Sequence, residues 1–261
     1  MISKILNHKY LLCSSLLATT AIQIPIAKRL LPLISFKLKQ QAESYQKINF
    51  YPDKIILIRH GQSEANITPK IYRTVPDALV HLSPNGKQQA LTASHLLKKE
   101  VGEGPIKFYI SPYIRTIETF EGIRTQLKTN KQTIIYDPRI REQELGNFHD
   151  FYPEIMKERK VVSDYYYRFR DGESGADVYN RALLFIDRMF RDFKKLKKKE
   201  HNTVVIVCHR WFMRAFITAF FNLNANDFNE IKDAQNCGLW IIEKNAKGKY
   251  KLKTKLPRIK L

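Results

Sequence analysis

Cysteine is scarce in this chain of 261 residues, where it occurs only three times. Cys13, Cys208 and Cys237 lie far apart and form neither a C-x-x-C pair nor a Cys/His spacing of the kind that holds zinc. The sequence therefore gives no support for a disulfide framework or a cysteine-based metal site. We expect two of these thiols to behave as small buried apolar residues.

Low-complexity and collagen-like repeats are also missing, so the fibrous and compositionally disordered classes are excluded. Hydrophobic residues make up 44% of the chain, with 15 phenylalanines and 13 tyrosines. A chain of this length and composition can bury a sizeable core, and we expect one globular domain.

Acidic residues are absent from both ends of the chain. Residues 1–42 and 247–261 hold no Asp or Glu, and together they carry thirteen of the twenty excess positive charges. The body between them is only mildly basic, which suits a small anionic ligand. The strongly basic C-terminal stretch, residues 247–261, has no aromatic residue beyond Tyr250 to stack on bases, so we predict no nucleic-acid partner.

The apolar run over residues 10–27 is diluted by Ser, Thr, Gln and Pro. It is slightly shorter than the stretch of about 20 apolar residues that a transmembrane helix needs. A signal peptide, a signal anchor, an organelle presequence and an extra helix lying on the domain all stay open. We predict a targeting or membrane-anchor segment over residues 1–42 and the catalytic domain over residues 43–261. The protein is expected to be membrane-associated or targeted to an organelle or the secretory pathway, and otherwise cytoplasmic.

The lysines near the C-terminus have two interpretations. In residues 247–256 lysine alternates with other residues, as on the solvent face of an edge strand. The same charges could attract anionic lipid and assist an N-terminal anchor. Membrane association through residues 10–27 and the basic termini is therefore a hypothesis, with the edge strand as its alternative.

From about residue 50 short apolar runs alternate with helical patterns, which is typical of an α/β sheet. Helical spacing covers residues 83–99 and 176–199, and residues 211–221 are apolar nearly all round, so that helix should be deeply buried. Four runs read as buried strands: Lys54–Ile58, Ile106–Ile110, Thr133–Tyr136 and Thr203–Cys208.

Basic residues follow three of these strands. Arg59 and His60 end the first, Arg115 comes shortly after the second, and His209 follows the fourth. Ser111 is a candidate N-cap for the helix that carries Arg115. The carboxyl ends of parallel strands lie on one edge of the sheet, so these four cationic or imidazole side chains should meet there. Such a cluster is costly without a counterion, and arginine matches phosphate oxygens well, which predicts a phosphate-binding pocket.

The sequence resembles the histidine phosphatase superfamily, also called the phosphoglycerate-mutase-like family, in five ordered segments that span roughly residues 52–243. One of the segments, IREQELGNF, matches the acidic loop of the family and has the R-E-Q form of its plant and fungal phosphoglycerate-mutase-like branch. The segments are LIRHGQSEAN, SPYIRTIETF, IREQELGNF, DGESGADVYNRALLFI and VVIVCHRWFMRAF. The resemblance implies a three-layer α/β/α sandwich with a mostly parallel sheet.

The resemblance also implies site residues. His60 would be the nucleophile that becomes phosphohistidine, while Arg59, Arg115 and His209 would bind the phosphoryl group, with Asn66 as a further donor. Glu142 takes the position of the general acid, and Glu144, two residues away, is the alternative. No metal or cofactor is implied. The implied activity is that of a histidine acid phosphatase-like phosphomonoesterase that acts on a small phosphorylated substrate.

Two alternatives to this activity stay open. A phosphoglycerate mutase would return the phosphoryl group to the substrate instead of losing it to water. The mutases of this family carry a longer insertion between the acidic loop and the second histidine, so the short segment between Glu142 and His209 favours hydrolysis. A non-catalytic phosphate-binding or adaptor protein is the other. Arg210 departs from the glycine that many relatives have after the second histidine. Other cations that could contact an anionic substrate are Lys70, Arg73, Arg139 and Arg141, whereas His81, His95, His149 and His201 match no site segment.

Overall fold

The computed structural model describes residues 51–127, 131–146, 152–194 and 203–256. All of them belong to one unit, Phe50–Leu261. The proposed targeting segment, residues 1–42, lies outside the described residues and stays a prediction, as does the boundary that follows it. No helix in the described ranges is long and apolar enough to cross a membrane.

A six-stranded sheet forms the centre of the fold, in the order β3-β2-β4-β1-β5-β6. β1, β2, β3 and β4 pair in parallel, and β5 and β6 are antiparallel to their neighbours. The four strands expected from sequence are therefore present, with two bounds shifted by one residue. The strands are β1 Lys54–Arg59, β2 Ile106–Ile110, β3 Gln132–Tyr136, β4 Thr203–Cys208, β5 Leu239–Lys244 and β6 Tyr250–Leu252.

Helices cover both faces of the sheet, and the three expected from apolar periodicity are among them. Periodicity did not predict the helices over residues 64–67 and 152–162. The α-helices of the described ranges are α1 Glu64–Ile67, α2 Pro84–Val101, α3 Ile114–Arg124, α4 Tyr152–Val162, α5 Gly175–Lys194, α6 Arg210–Phe220 and α7 Ala225–Glu230. Three short 3-10 turns add Pro69–Arg73, Asp77–Leu79 and Pro138–Ile140.

Strand β1 divides its side chains between two separate cores, because successive residues of a strand point to opposite faces. Ile55 and Leu57 pack with residues of α5, α6 and α7. Ile56 and Ile58 pack with residues of α2 and α3. The predicted three-layer α/β/α sandwich with a mostly parallel sheet is confirmed.

Helix α6 is buried along almost its whole length, as its uniformly apolar sequence predicts. Residues 211–218 are all buried, and Phe212 and Phe216 have no exposed surface. Its N-terminus directly follows β4, so the helix is held rigidly against the edge of the sheet where the strands end. This matters for function because His209 stands at that junction.

The lysine-rich C-terminal stretch lies at an edge of the sheet, as one of its two interpretations predicts. β6 is the last strand in the sheet order, and Lys251 on it is exposed. Lys253 forms ion pairs with Glu100 (3.0 Å) and Glu243 (3.2 Å), so part of the positive charge is neutralised locally. Attraction of the termini to anionic lipid stays a prediction.

Candidate active site

The end of β1 is held on both sides, because β4 and β5 are its neighbours. The backbone N–H of His60 donates to the carbonyl of Cys208 at 3.0 Å, and the carbonyl of His60 accepts from the side-chain amide of Asn236 at 3.1 Å. Gly61 follows in a crowded position, where an added Cβ would lie 2.5 Å from the carbonyl oxygen of Gly86. His60 therefore stands on a backbone that has little freedom to move.

The His60 ring has a defined tautomer. Its Nδ1 lies 2.7 Å from the carbonyl oxygen of Gly61, and a carbonyl oxygen can only accept a hydrogen bond. Nδ1 must therefore carry the proton, and the lone pair of the neutral ring lies on Nε2. The side chain is only 4% exposed. The site thus holds an unprotonated imidazole nitrogen away from bulk water.

The second histidine lies beside the first. The ring centroids of His60 and His209 are 5.2 Å apart, and the ring of Tyr113 packs edge-on against His209 at 5.1 Å. Nε2 of His209 shares a hydrogen bond of 2.8 Å with the Ser111 hydroxyl, while its buried Nδ1 has no partner among the described residues. That nitrogen is therefore free to bond to a ligand.

The prediction that Ser111 caps helix α3 is wrong. The helix begins at Ile114, its N-cap residue is Tyr113, and the Ser111 hydroxyl instead bonds to His209. The chain needs two more residues to turn from β2 into the helix than the capping pattern suggested. Arg115 still falls in the first turn, as predicted.

Two guanidinium groups face the imidazole pair. Arg115 is 2% exposed, and its Nη1 contacts both the carbonyl (2.6 Å) and the carboxylate (2.8 Å) of Asp77. Nη1 of Arg59 donates to the carbonyl of Ala234 at 2.8 Å, and its buried Nε has no hydrogen-bond partner in the described part of the chain. Asp77 was not predicted; nothing in its sequence neighbourhood pointed to the site.

Burial and the neighbouring positive charges both disfavour protonation of the two imidazoles. Burial lowers the pKa of His60 well below its ordinary value of 6.5, and Arg115 and Arg59 lower it further. Burial also lowers the pKa of His209 well below that value, with Arg115 and His60 adding to the effect. Both shifts disfavour another positive charge, so an anion would be the stabilising occupant of this space.

Glu142 lies at the N-terminus of helix α6. Its Oε1 accepts from the backbone N–H of Trp211 at 3.2 Å and from that of Gln143 at 3.1 Å. Burial raises the pKa of the Glu142 carboxyl, against the opposing effects of Arg210 and Arg115. Glu144, by contrast, is exposed and lies 3.5 Å from Arg141. The geometry therefore favours Glu142 over Glu144 as the group near the anion pocket.

Asn66 is arranged differently from the other predicted residues. It lies in α1, where its Oδ1 accepts from the Ser63 backbone N–H (3.1 Å) as part of a capping box and from Asn236 (3.2 Å). Its side-chain oxygen is thus occupied by these two bonds, and only its amide N–H groups can serve a ligand. Asn236 connects it to His60 and was missed by sequence reasoning.

Trp211 lies between two arginine side chains. The guanidinium carbon of Arg159, from α4, is 3.9 Å from the centre of the Trp211 indole, and that of Arg214 is 4.4 Å away. Asp164 pairs with both arginines, at 2.9 Å from Arg159 and 3.4 Å from Arg214. Arg210, which precedes the tryptophan, pairs with Asp233 at 3.2 Å. The residue that departs from the family pattern therefore already has a counterion.

The remaining candidates lie outside this cluster or are engaged elsewhere. Arg139 bonds to Asp137 at 2.8 Å, Arg141 bonds to Glu173 at 2.7 Å, and Lys70 and Arg73 are exposed. Histidine 81 pairs with Glu118 at 2.9 Å on the surface, and histidine 95 is exposed. Histidines 149 and 201 lie outside the described residues.

Comparison with known proteins identifies the family of this chain. The sequence model of the histidine phosphatase superfamily (branch 1) matches residues 55–255. Phosphoglycerate mutase-like protein AT74H of Arabidopsis thaliana is 33% identical over 215 residues, which cover 76% of each chain. Broad-range acid phosphatase DET1 of Saccharomyces cerevisiae is 25% identical over 304 residues, covering 80% of this chain and 91% of the relative.

Among solved structures, the fold matches that of a mycobacterial glucosyl-3-phosphoglycerate phosphatase in complex with VO3. The TM-score is 0.61 at 18% identity, and the match covers 78% of this chain and 98% of the other. At that identity the likeness concerns the fold alone.

Proposed function

The chain belongs to the histidine phosphatase superfamily, and from this premise we propose that it hydrolyses phosphomonoesters through a phosphohistidine formed at His60. The observation that supports this most is the pair of buried imidazoles, 5.2 Å apart, whose pKa values are lowered by burial and by the guanidinium groups of Arg59 and Arg115. The name of the yeast relative, a broad-range acid phosphatase, also favours hydrolysis.

In the first step, the lone pair on Nε2 of His60 attacks phosphorus and the bond to the leaving oxygen breaks. The hydrogen bond from Nδ1 to Gly61 holds the ring in the tautomer that this attack needs. Arg59, Arg115 and His209 bind the non-bridging oxygens, and Asn66 adds an amide donor. Because these donors are fixed before the substrate arrives, they stabilise the charge of the transition state without reorganising.

Glu142 completes both steps as acid and then base. Its protonated carboxyl gives a proton to the leaving alkoxide, and the resulting carboxylate then takes a proton from the water that attacks the phosphohistidine. Phosphate leaves and Nε2 of His60 regains its lone pair. The scheme needs no metal ion or cofactor, because the two arginines supply the positive charge.

Release of inorganic phosphate from a panel of small phosphomonoesters tests this proposal on the full chain. The panel includes 3-phosphoglycerate, because the Arabidopsis relative is named phosphoglycerate mutase-like and phosphoryl transfer is the alternative. Faster formation of an isomer than of phosphate would favour a mutase. Phosphate binding without turnover of any ester would leave only the non-catalytic adaptor.

The pH dependence of kcat/KM should identify an acid phosphatase. His60 must be neutral, and because burial and its arginine neighbours lower its pKa below 6.5, activity should be lost only as the pH falls through that lowered value. Glu142 must be protonated, and because burial raises its pKa above 4.5, activity should persist until the pH rises through that raised value. We therefore expect a bell-shaped profile with its maximum on the acid side of neutrality, and a maximum at alkaline pH would contradict this assignment.

A further inference from the structure

An ion pair between a buried arginine and a partly buried glutamate holds the loop that carries Glu142. Arg181, on the second turn of α5, and Glu173, just before that helix, lie 2.8 Å apart between Nε and Oε1 and 2.7 Å apart between Nη2 and Oε2. Arg181 is 9% exposed, and the pair has the two parallel bonds that give an arginine–carboxylate contact a fixed orientation.

The rest of the Arg181 guanidinium binds the loop itself. Nη1 donates to the carbonyls of Arg139 (2.6 Å) and Arg141 (3.1 Å), and Nη2 donates to the carbonyl of Glu142 (3.2 Å). With the two bonds to Glu173, all five N–H donors of the guanidinium are used. The backbone on both sides of Glu142 is thus bound to one rigid, planar group.

Glu173 holds the other end of the loop. Its Oε2 accepts from the backbone N–H of Glu144 at 3.1 Å, and its own backbone N–H donates to the carbonyl of Glu144 at 2.8 Å. Its carbonyl accepts from the side-chain amide of Gln143 at 2.9 Å. An added Cβ at Gly172 would lie 2.6 Å from the carbonyl oxygen of Glu144, so the two segments touch through their backbones.

The loop from Arg141 to Gly146 has no helix or strand of its own, and these bonds take the place of regular structure. We propose that Arg181 and Glu173 are positioning residues for Glu142, and that they hold its carboxyl where it can protonate the leaving oxygen. This inference rests on the proposed phosphatase activity. It extends that activity to two residues that bond to the backbone of the loop, outside the four side chains proposed to bind the phosphoryl group.

Leaving groups of different basicity separate positioning from mere structural support. p-Nitrophenyl phosphate releases p-nitrophenolate, a weak base that departs without help from an acid, whereas glycerol 2-phosphate releases a basic alkoxide that needs a proton. We expect Arg181→Gln to lower kcat/KM for glycerol 2-phosphate by about tenfold to a hundredfold, the scale of a misplaced catalytic group. For p-nitrophenyl phosphate, kcat/KM should fall by less than about threefold, because it reports steps only up to phosphorylation of His60.

The controls use the same region of the chain. Arg191→Gln removes another arginine of α5, which pairs with Asp187 on the surface at 2.9 Å, and should leave both substrates unaffected. Arg181→Lys keeps the charge but has only three donors, so it should show the same substrate-dependent loss. If Arg181→Gln does not fold, Glu173→Gln, which changes one charge and almost no volume, carries the same expectation.

Two outcomes would overturn the inference. An equal loss on both substrates, or no loss on either, would mean that the pair does not act through Glu142. If the wild-type protein hydrolyses neither ester, the proposed function fails and the inference fails with it. If the wild-type protein hydrolyses both esters, the variants test the inference alone.

Discussion

The His60→Ala variant is expected to release phosphate at least about 10⁴-fold more slowly than the wild type, because it loses the only nucleophile of the proposed reaction. The remaining arginines would still bind phosphate, so the loss should appear in kcat and not in phosphate affinity. Phosphate release and binding of inorganic phosphate, measured on the same preparation, check both halves of this expectation.

Trapping the intermediate gives an independent reading of the same change. Phosphohistidine is labile to acid and stable to alkali. Wild-type protein that is quenched with alkali during turnover should therefore carry a phosphoryl group on the peptide that contains His60. Replacement of histidine 95, which is exposed on α2, serves as the matched control and should leave both turnover and label intact. Turnover by His60→Ala at more than about a hundredth of the wild-type rate would contradict the assignment of the nucleophile.

The Glu142→Gln variant is expected to lose about 10²- to 10⁴-fold in kcat/KM on alkyl phosphates, the range supplied by general acid catalysis. The amide keeps the volume of the carboxyl and its bond from the Trp211 N–H, but it has no proton to give. The alkaline limb of the pH profile should disappear as well, because the group whose ionisation produces that limb is gone.

The Glu144→Gln variant is the matched control for this position. Glu144 is exposed, and its side chain lies near Arg141 instead of α6, so we expect little change in rate on any ester. The reverse result, with Glu144→Gln slow and Glu142→Gln close to normal, would assign the general acid to the other carboxyl.

Much of this architecture follows from simple features of the sequence. Apolar runs bounded by polar residues predict the four parallel strands, and the shared edge of a parallel sheet predicts that His60, Arg115 and His209 come together. Neither inference needs side-chain detail, because the backbone pattern alone sets where each strand ends. The structure places the two imidazole rings in contact distance accordingly.

What the sequence could not predict depends on side chains that reach the site from distant segments. Asp77 contacts Arg115 from a short 3-10 turn, and Asn236 contacts His60 from the loop before β5. Ser111 looked like a helix cap because its spacing suits one, and only packing shows that it serves His209. Helix α4, which carries the Arg159 side chain that stacks on Trp211, was not predicted either.

The stacking of Trp211 between Arg159 and Arg214 has a practical consequence. The chain holds only two tryptophans, and the other, Trp240, lies on strand β5 within the sheet. Because the backbone N–H of Trp211 bonds to Glu142, the indole belongs to a residue in direct contact with the proposed general acid, and it is flanked by charges that influence its emission. Intrinsic fluorescence should thus serve as a built-in optical reporter of oxyanion binding, without any dye or label.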